Sequence, residues 1–345
     1  MRSVLVLGGT VFVGRALVDA AVGRGWRVSA FTNEPDPVLP PAVEHLLGDR
    51  TDPRTLDVLR GREWDCVVDT WAGRAEAVRD TVALLRDTVG RYGYVSTLMA
   101  HQWPVAERPL RESSPLRPAS PGGRTEGYPA RKAAGERAVA EGFGDRAVVA
   151  RPGLVLGPHE RPGRLPRWLL RHRAAGPGEA LLAPGRPGRR IQYVDARDLA
   201  GWLLDALEGA VAGAYNLACP AGHATMGGLM EACAEATGSA ARPEWVPEPW
   251  LLSAGARSWT ELPVWVPEEG DGAALYDLDV SAALSAGFTP RPLAETVADT
   301  WDWLAGVAPG DLDRAVRRAD WITPEREAAL LEGWAADRAR SPRAS

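Results

Sequence analysis

The chain runs from four uninterrupted apolar residues, Val4-Leu5-Val6-Leu7, straight into Gly8-Gly9-Thr10-Val11-Phe12-Val13-Gly14. An apolar run with no polar alternation suits a strand buried on both faces, as in a parallel sheet. From Phe12 to Val22 the apolar residues recur at helical spacing, so the glycine turn hands the chain to an amphipathic helix. That order puts a helix N-terminus, with its free N–H groups and positive dipole end, at the tip of the first strand. Such a place suits the pyrophosphate of a dinucleotide. Gly8 and Gly14 take the outer positions of G-x-x-G-x-x-G, and Val11 stands where the middle glycine would be. The expected cofactor contacts at this turn are Gly8, Gly9, Thr10, Val11, Phe12, Val13 and Gly14.

Further strands are predicted at 26–31, 44–47, 66–68, 92–96 and 147–150, with helices at 75–85 and from Tyr128 to about residue 140. Strands alternating with helices imply an α/β fold, a Rossmann-type doubly wound parallel sheet. Beyond Arg151 the alternation fades. Helices are predicted at 164–172, 196–207, 226–236, 293–303 and 324–338, with short strands near Leu181 and Ile191. Residues 1–155 are therefore read as a dinucleotide-binding domain, including a Pro/Ser/Gly/Arg-rich loop at 104–127 over the site and a catalytic helix. Residues 156–345 are read as a smaller, mainly substrate-binding α/β domain, some of whose segments return to the Rossmann sheet.

The tip of the second strand selects between nicotinamide cofactors, because a carboxylate there would bind a ribose 2′-hydroxyl and repel a 2′-phosphate. The chain reads Phe31-Thr32-Asn33-Glu34, with no acid at the tip, which leans toward NADP(H) over NAD(H) with Thr32 and Asn33 near the ribose. Asp49 and Arg50, after the third strand, are placed to approach the adenine end.

The 40 basic residues comprise one lysine, Lys132, and 39 arginines. A chain that uses arginine wherever it needs positive charge keeps lysine where a compact ammonium is required. Tyr128 lies four residues earlier, so on a helix the two share a face. Pro129 is tolerated because the first helical turn needs no N–H there. An ammonium beside a phenol stabilises the phenolate, which turns a tyrosine into a proton shuttle near neutrality. Ser96-Thr97 closes the fifth strand, where open α/β sheets bind ligands; Thr97 is the first candidate to polarise a substrate oxygen and Ser96 the second.

The strand–GGTVFVG–helix start, Val95-Ser96-Thr97, Y-x-x-x-K, Arg151-Pro152-Gly153 with Gly157-Pro158, and the segment from Ile191 to Ala200 together resemble the NAD-dependent epimerase/dehydratase family. That family belongs to the extended or atypical short-chain dehydrogenases/reductases, and the pattern is similar to actinobacterial reductase-like members. The resemblance covers residues 1–235. It implies a Rossmann domain, a bound nicotinamide cofactor, and catalytic roles for Thr97, Tyr128 and Lys132, with Lys132 also donating to the nicotinamide ribose. Leu98 and Met99 replace the Asp-Glu pair that sugar-nucleotide dehydratases carry after the threonine, which argues against elimination of water. His101 is expected in the pocket wall.

A net charge of −5 offers no footprint for nucleic acid or an anionic membrane, and no apolar run approaches a membrane span. Cys66, Cys219 and Cys233 have no metal-ligand spacing and are read as buried thiols of a cytoplasmic protein, with no metal site. Trp245, Trp250, Trp259 and Trp265 are expected to pack a small core. The expected partner is a small-molecule substrate, and the expected assembly a monomer or homodimer. The first functional reading is an NAD(P)(H)-dependent reductase acting on a small, sugar-like or secondary-metabolite carbonyl. The alternatives are a nucleotide-sugar epimerase with retained NAD and a non-catalytic dinucleotide-binding sensor.

Overall fold

β1 (Ser3–Leu7) is buried at every position, as its unbroken apolar sequence requires. In the computed structural model, which describes residues 1–118, 127–317 and 320–340, parallel partners flank it on both sides. β2 (Arg27–Thr32) sets Leu7 opposite Phe31, and β4 (Trp64–Asp69) sets Leu7 opposite Asp69. β3 (Glu44–Leu47) lies outside β2, while β5 (Val89–Val95), β6 (Ala147–Pro152) and the strand Gly213–Leu217 follow beyond β4. All seven strands are parallel. The strand order reverses between β1 and β4, the place at whose C-terminal ends such sheets take their ligands. The doubly wound α/β fold expected from the sequence is the fold observed.

α1 (Phe12–Gly23) and α5 (Ala196–Glu208) cover one face of this sheet. Gly14, Leu17, Val18 and Ala21 form the buried stripe of α1, spaced i, i+3, i+4, i+7, and share a core with Leu199, Leu203 and Leu207. α2 (Ala75–Leu85) and α3 (Gly127–Phe143) cover the other, where Val78, Val82 and Leu85 pack with Tyr92, Val139 and Phe143. Truncating one such buried leucine to alanine costs about 2–5 kcal/mol. β5 starts three residues before the expected position, since Gly90 and Arg91 interrupt its apolar pattern. Gly90 belongs to the strand because a Cβ there would stand 2.6 Å from the Asp65 carbonyl oxygen on β4.

The chain divides into two compact units. The sheet lies in the unit formed by Met1–Val155, Tyr193–Pro220 and Asp277–Pro290. The other comprises Leu156–Gln192, Ala221–Tyr276 and Arg291–Ser345. Within it, α4 (Arg164–Ala174) and the helices Met226–Thr237, Leu293–Ala305 and Pro324–Arg340 accompany a parallel pair of strands, Ala180–Pro184 and Arg242–Val246. Glu327 is its electrostatic centre, buried and bonded to Arg167 and Arg171 at 3.0 Å each and to the Leu182 N–H at 3.1 Å. Trp265 is fully buried and donates to Glu248, and Trp250 stacks edge-on against Trp334, so these tryptophans pack as expected. Arg186 pairs with Glu268, and Arg189 is spent on the carbonyls of Val266 and Pro267.

Cys66, Cys219 and Cys233 are buried free thiols. No described helix is long and apolar enough to cross a membrane. Among the described residues no cluster of His, Cys, Asp or Glu has the makings of a metal site.

Candidate active site

The glycine turn at the tip of β1 is built as tightly as its sequence suggests. Gly8 adopts φ +96°, which an L side chain resists, and its N–H donates to the Phe31 carbonyl at 3.0 Å. A Cβ on Gly14 would stand 1.8 Å from the Gly8 carbonyl oxygen, so α1 crosses the turn backbone to backbone. α1 begins with no side-chain cap from Val11 and no acidic residue in its first turn. The Gly14 N–H donates to the Val11 carbonyl at 3.0 Å, while the helix start ahead of it is capped by no side chain, an arrangement that fits the pyrophosphate of a dinucleotide. Gly8 is exposed, Thr10 half-buried, and the Val11 side chain is 48% exposed at the position where the motif has glycine. Val11 itself is extended at φ −127°, and the positive φ of this turn falls on the next residue, Phe12, at +45°.

The neighbouring strand ends hold the other expected cofactor residues. Thr32 closes β2, buried, with Oγ1 3.1 Å from His45 Nε2, and Asn33 is exposed immediately beyond it. The Asp49 carboxylate caps its own turn, accepting from the Thr51 N–H and hydroxyl at 2.8 Å each. Arg50 turns into the interior: its guanidinium grips Asp69, at the end of β4, at 2.5 and 3.0 Å, and donates also to the Ala77 carbonyl and the Thr81 hydroxyl. Asp69 accepts further from the Tyr92 hydroxyl at 2.6 Å and the Trp71 N–H at 2.8 Å. Burial pushes the Asp69 carboxyl up, but Arg50 and these hydrogen bonds outweigh it and hold the group below the usual range. Thr32 and Asn33 thus stand beside the glycine turn, whereas Arg50 is committed to the wall behind it.

On the other side of β4, Thr97 follows β5 in extended geometry, 7% exposed, and its Oγ1 accepts from the Met99 N–H at 3.2 Å, capping a short 3-10 turn, Leu98–Ala100. With that lone pair used, the Thr97 hydroxyl proton is available to donate. Tyr128 is the second residue of α3 and 41% exposed, within electrostatic reach of Tyr94. Lys132, one turn on, is 2% exposed with its ammonium 4.8 Å from the centroid of the same Tyr94 ring. An ammonium has three donors. Those of Lys132 meet the carbonyls of Thr70 at 3.3 Å, Trp71 at 2.5 Å and Val95 at 2.6 Å, tying the end of β5 to the segment just after β4. The lysine expected to reach toward a ribose is held instead by the strand ends, since its short reach from a buried helix face ends at those carbonyls. Burial pushes its pKa down to about 7, with Asp69 and Glu136 opposing and Arg50 adding to the fall.

Ser96 points away from Thr97. Its hydroxyl donates to Glu136 in a buried group in which Arg151, at the end of β6, clasps the Glu136 carboxylate through Nε at 3.1 and 3.0 Å and Nη2 at 2.7 Å. Arg151 Nη1 donates to the Glu112 carbonyl, and the Glu112 carboxylate accepts the Asn216 N–H. Neither Glu136 nor Asp69 was singled out by sequence reasoning, and Arg151 figured only as part of a motif. The available signal was position: Glu136 continues the row of Tyr128 and Lys132 at every fourth residue. His101 is fully buried rather than in a pocket wall, with Nδ1 3.0 Å from the Ser114 carbonyl; burial and then Arg151 push its pKa down. It pairs with Leu116 at the neck of the loop. Of the loop expected over the site at 104–127, residues 119–126 lie outside the described residues.

Residues 68–218 match the sequence model of the NAD dependent epimerase/dehydratase family. No curated protein matches the chain. Among solved structures, the fold is similar to WbmH of Bordetella bronchiseptica in complex with NAD+, at TM-score 0.68 and 22% identity over 89% of this chain and 99% of that one. It is similar also to the UDP-glucose 4-epimerase of Thermus thermophilus in complex with NAD, at TM-score 0.63 and 23% identity over 89% of this chain and all of that one. A third is the dTDP-glucose 4,6-dehydratase of Bacillus anthracis, with NAD, at TM-score 0.61 and 15% identity over 88% and 96% of the two chains. The sequence similarity over 68–218 is thus to the NAD dependent epimerase/dehydratase family, and the solved structures share this chain's fold.

Proposed function

We propose that the protein is a nicotinamide-dinucleotide-dependent oxidoreductase that reduces the carbonyl of a small, sugar-like or secondary-metabolite substrate, with Tyr128 as proton donor. One observation carries this reading: Thr97, Tyr128 and the glycine turn all stand at the C-terminal edge of one parallel sheet, with the single lysine of the chain buried behind the tyrosine. When bound at the turn, the dinucleotide supplies the hydride. The hydroxyl proton of Thr97 donates to the substrate oxygen and draws electron density from the carbonyl carbon. Tyr128 gives that oxygen its proton, and the charge of protonated Lys132, one helical turn away and held by its three carbonyls, favours the phenolate through space. Leu98 is buried and Met99 apolar, so no carboxylate pair follows Thr97 to support a dehydration.

The open, acid-free tip of β2 supports NADP(H) as an exchangeable reductant. A second reading, an epimerase that keeps NAD through an oxidation and re-reduction of the same substrate, is supported by the NAD in the crystals of WbmH and the Thermus epimerase. Purified protein separates them. We expect it to be free of nucleotide and to bind NADPH reversibly by titration calorimetry, more tightly than NADH. Protein that releases stoichiometric NAD only on denaturation would favour the epimerase, and failure to bind either dinucleotide would overturn both.

A further inference from the structure

We infer that Glu136 is a positioning residue for the Tyr128–Lys132 pair: tied to the end of β5 through Ser96 and to β6 through Arg151, it fixes α3 against the strand ends and sets a negative charge one turn behind the lysine. The inference rests on the roles proposed for Tyr128 and Lys132. Tyr128, Lys132 and Glu136 occupy every fourth position of α3, and helical side chains lean toward the N-terminus, so the Glu136 carboxylate tilts toward the turn that bears Lys132. Glu136 is 4% exposed, and both its oxygens are engaged. Such a pair is seldom needed for stability, because apolar residues of similar volume often serve as well. Its location gives it another use. The strand it anchors through Ser96 ends on Thr97, and the helix it anchors opens on Tyr128.

Several charged or polar groups bear on Lys132: Asp69 from β4, Arg50 from the segment after β3, the Tyr94 ring from β5, and Glu136 from its own helix. Asp69 and Arg50 are paired with each other and act on Lys132 in opposite directions, Asp69 raising and Arg50 lowering its pKa. Glu136 faces Arg151 of β6, Ser96 of β5 and His101 of the following loop, and of its ion pair it is the carboxylate that acts on Lys132.

Because the chain has one lysine, protein labelled with ¹⁵N-lysine gives a single side-chain resonance, and its titration needs neither substrate nor cofactor. Glu136→Gln keeps the shape and most hydrogen bonds but removes the charge. We expect the Lys132 midpoint to fall by about one pH unit, and Glu136→Asp to restore most of it even where thermal stability is lost. An unchanged midpoint in a folded Gln variant would reduce Glu136 to a packing residue and overturn the inference. An Asp variant titrating like the Gln variant would do the same. If Glu136→Gln alone does not fold, Glu136→Gln with Arg151→Gln leaves neither charge unpaired and reads the same midpoint. Loss of the proposed function, seen as absent dinucleotide binding, is a separate measurement and leaves this one intact.

Discussion

Raising the pH just above neutrality should make this protein more stable, and Lys132 is the reason. Unfolded, its amine keeps a proton up to 10.5; folded, burial foremost pushes the pKa to about 7. The difference corresponds to about 5 kcal/mol of charge burial. Below pH 7 both states are protonated and the whole penalty is present. As the pH rises past 7 the folded state releases its proton while the unfolded state keeps it, so stability climbs. From pH 7 to 8.5 the gain is about 1.5 kcal/mol. Above that, the thiols of Cys66 and Cys219, pushed by burial to about 12 and about 11, pull the other way, because unfolded thiols ionise first.

The assay is urea denaturation at pH 7.0 and 8.5, on wild type and on Lys132→Met, with the lysine midpoint read on wild type alone from its single ¹⁵N-lysine resonance. Methionine leaves the carbonyls of Thr70, Trp71 and Val95 without this donor, so its absolute stability falls, and only the change with pH is compared. Wild type should gain and the variant should not. A lysine midpoint near 10.5, or two proteins with parallel pH curves, would refute the reasoning.

Lys132→Arg should lose most of the proposed activity, about 10²–10⁴-fold if an acid–base step fails, and should melt earlier, because a guanidinium overfills a space closed by three carbonyls; turnover within threefold of wild type would count against it. Gly14→Ala should weaken dinucleotide binding and lower the melting temperature together, since a Cβ 1.8 Å from the Gly8 oxygen forces α1 off the turn; unchanged calorimetric affinity would contradict this. Arg50→Met strands the buried Asp69 charge and should cost about 3–5 kcal/mol in urea denaturation, where a loss under 1 kcal/mol would be inconsistent with the ion pair. Glu160 is fully buried at the start of α4, and burial pushes its pKa up to about 7 from 4.5. The folded state then holds a proton that the unfolded state has lost, so this group's contribution falls from pH 4.5 to 7 while that of His172, pushed down by burial to about 4, rises, and a Glu160→Gln variant should gain stability with pH relative to wild type across that window.

What the sequence disclosed and what it hid divide along the range of the interactions. β1, the glycine turn and α1 are contiguous, and their periodicities and conformational demands can be read from neighbouring letters. The Tyr128–Lys132 row is legible for the same reason, four residues apart on one helix. The partners that decide what those residues do are remote. Arg50 reads as a contact for the adenine end because nothing nearby reveals Asp69, 19 residues away, as its partner. Ser96 reads as a second candidate to polarise the substrate oxygen because Glu136, its acceptor, is 40 residues on. The excursion of the chain between β6 and the strand Gly213–Leu217 is equally silent, since a strand bordering the sheet carries no mark of which strand it borders. Lys132 shows the consequence most clearly. Its rarity marks it out in the sequence, but what holds it is three backbone carbonyls, groups that every residue possesses and no sequence distinguishes. Burial among them lowers the lysine's pKa to about 7, the range where a proton-transfer site operates.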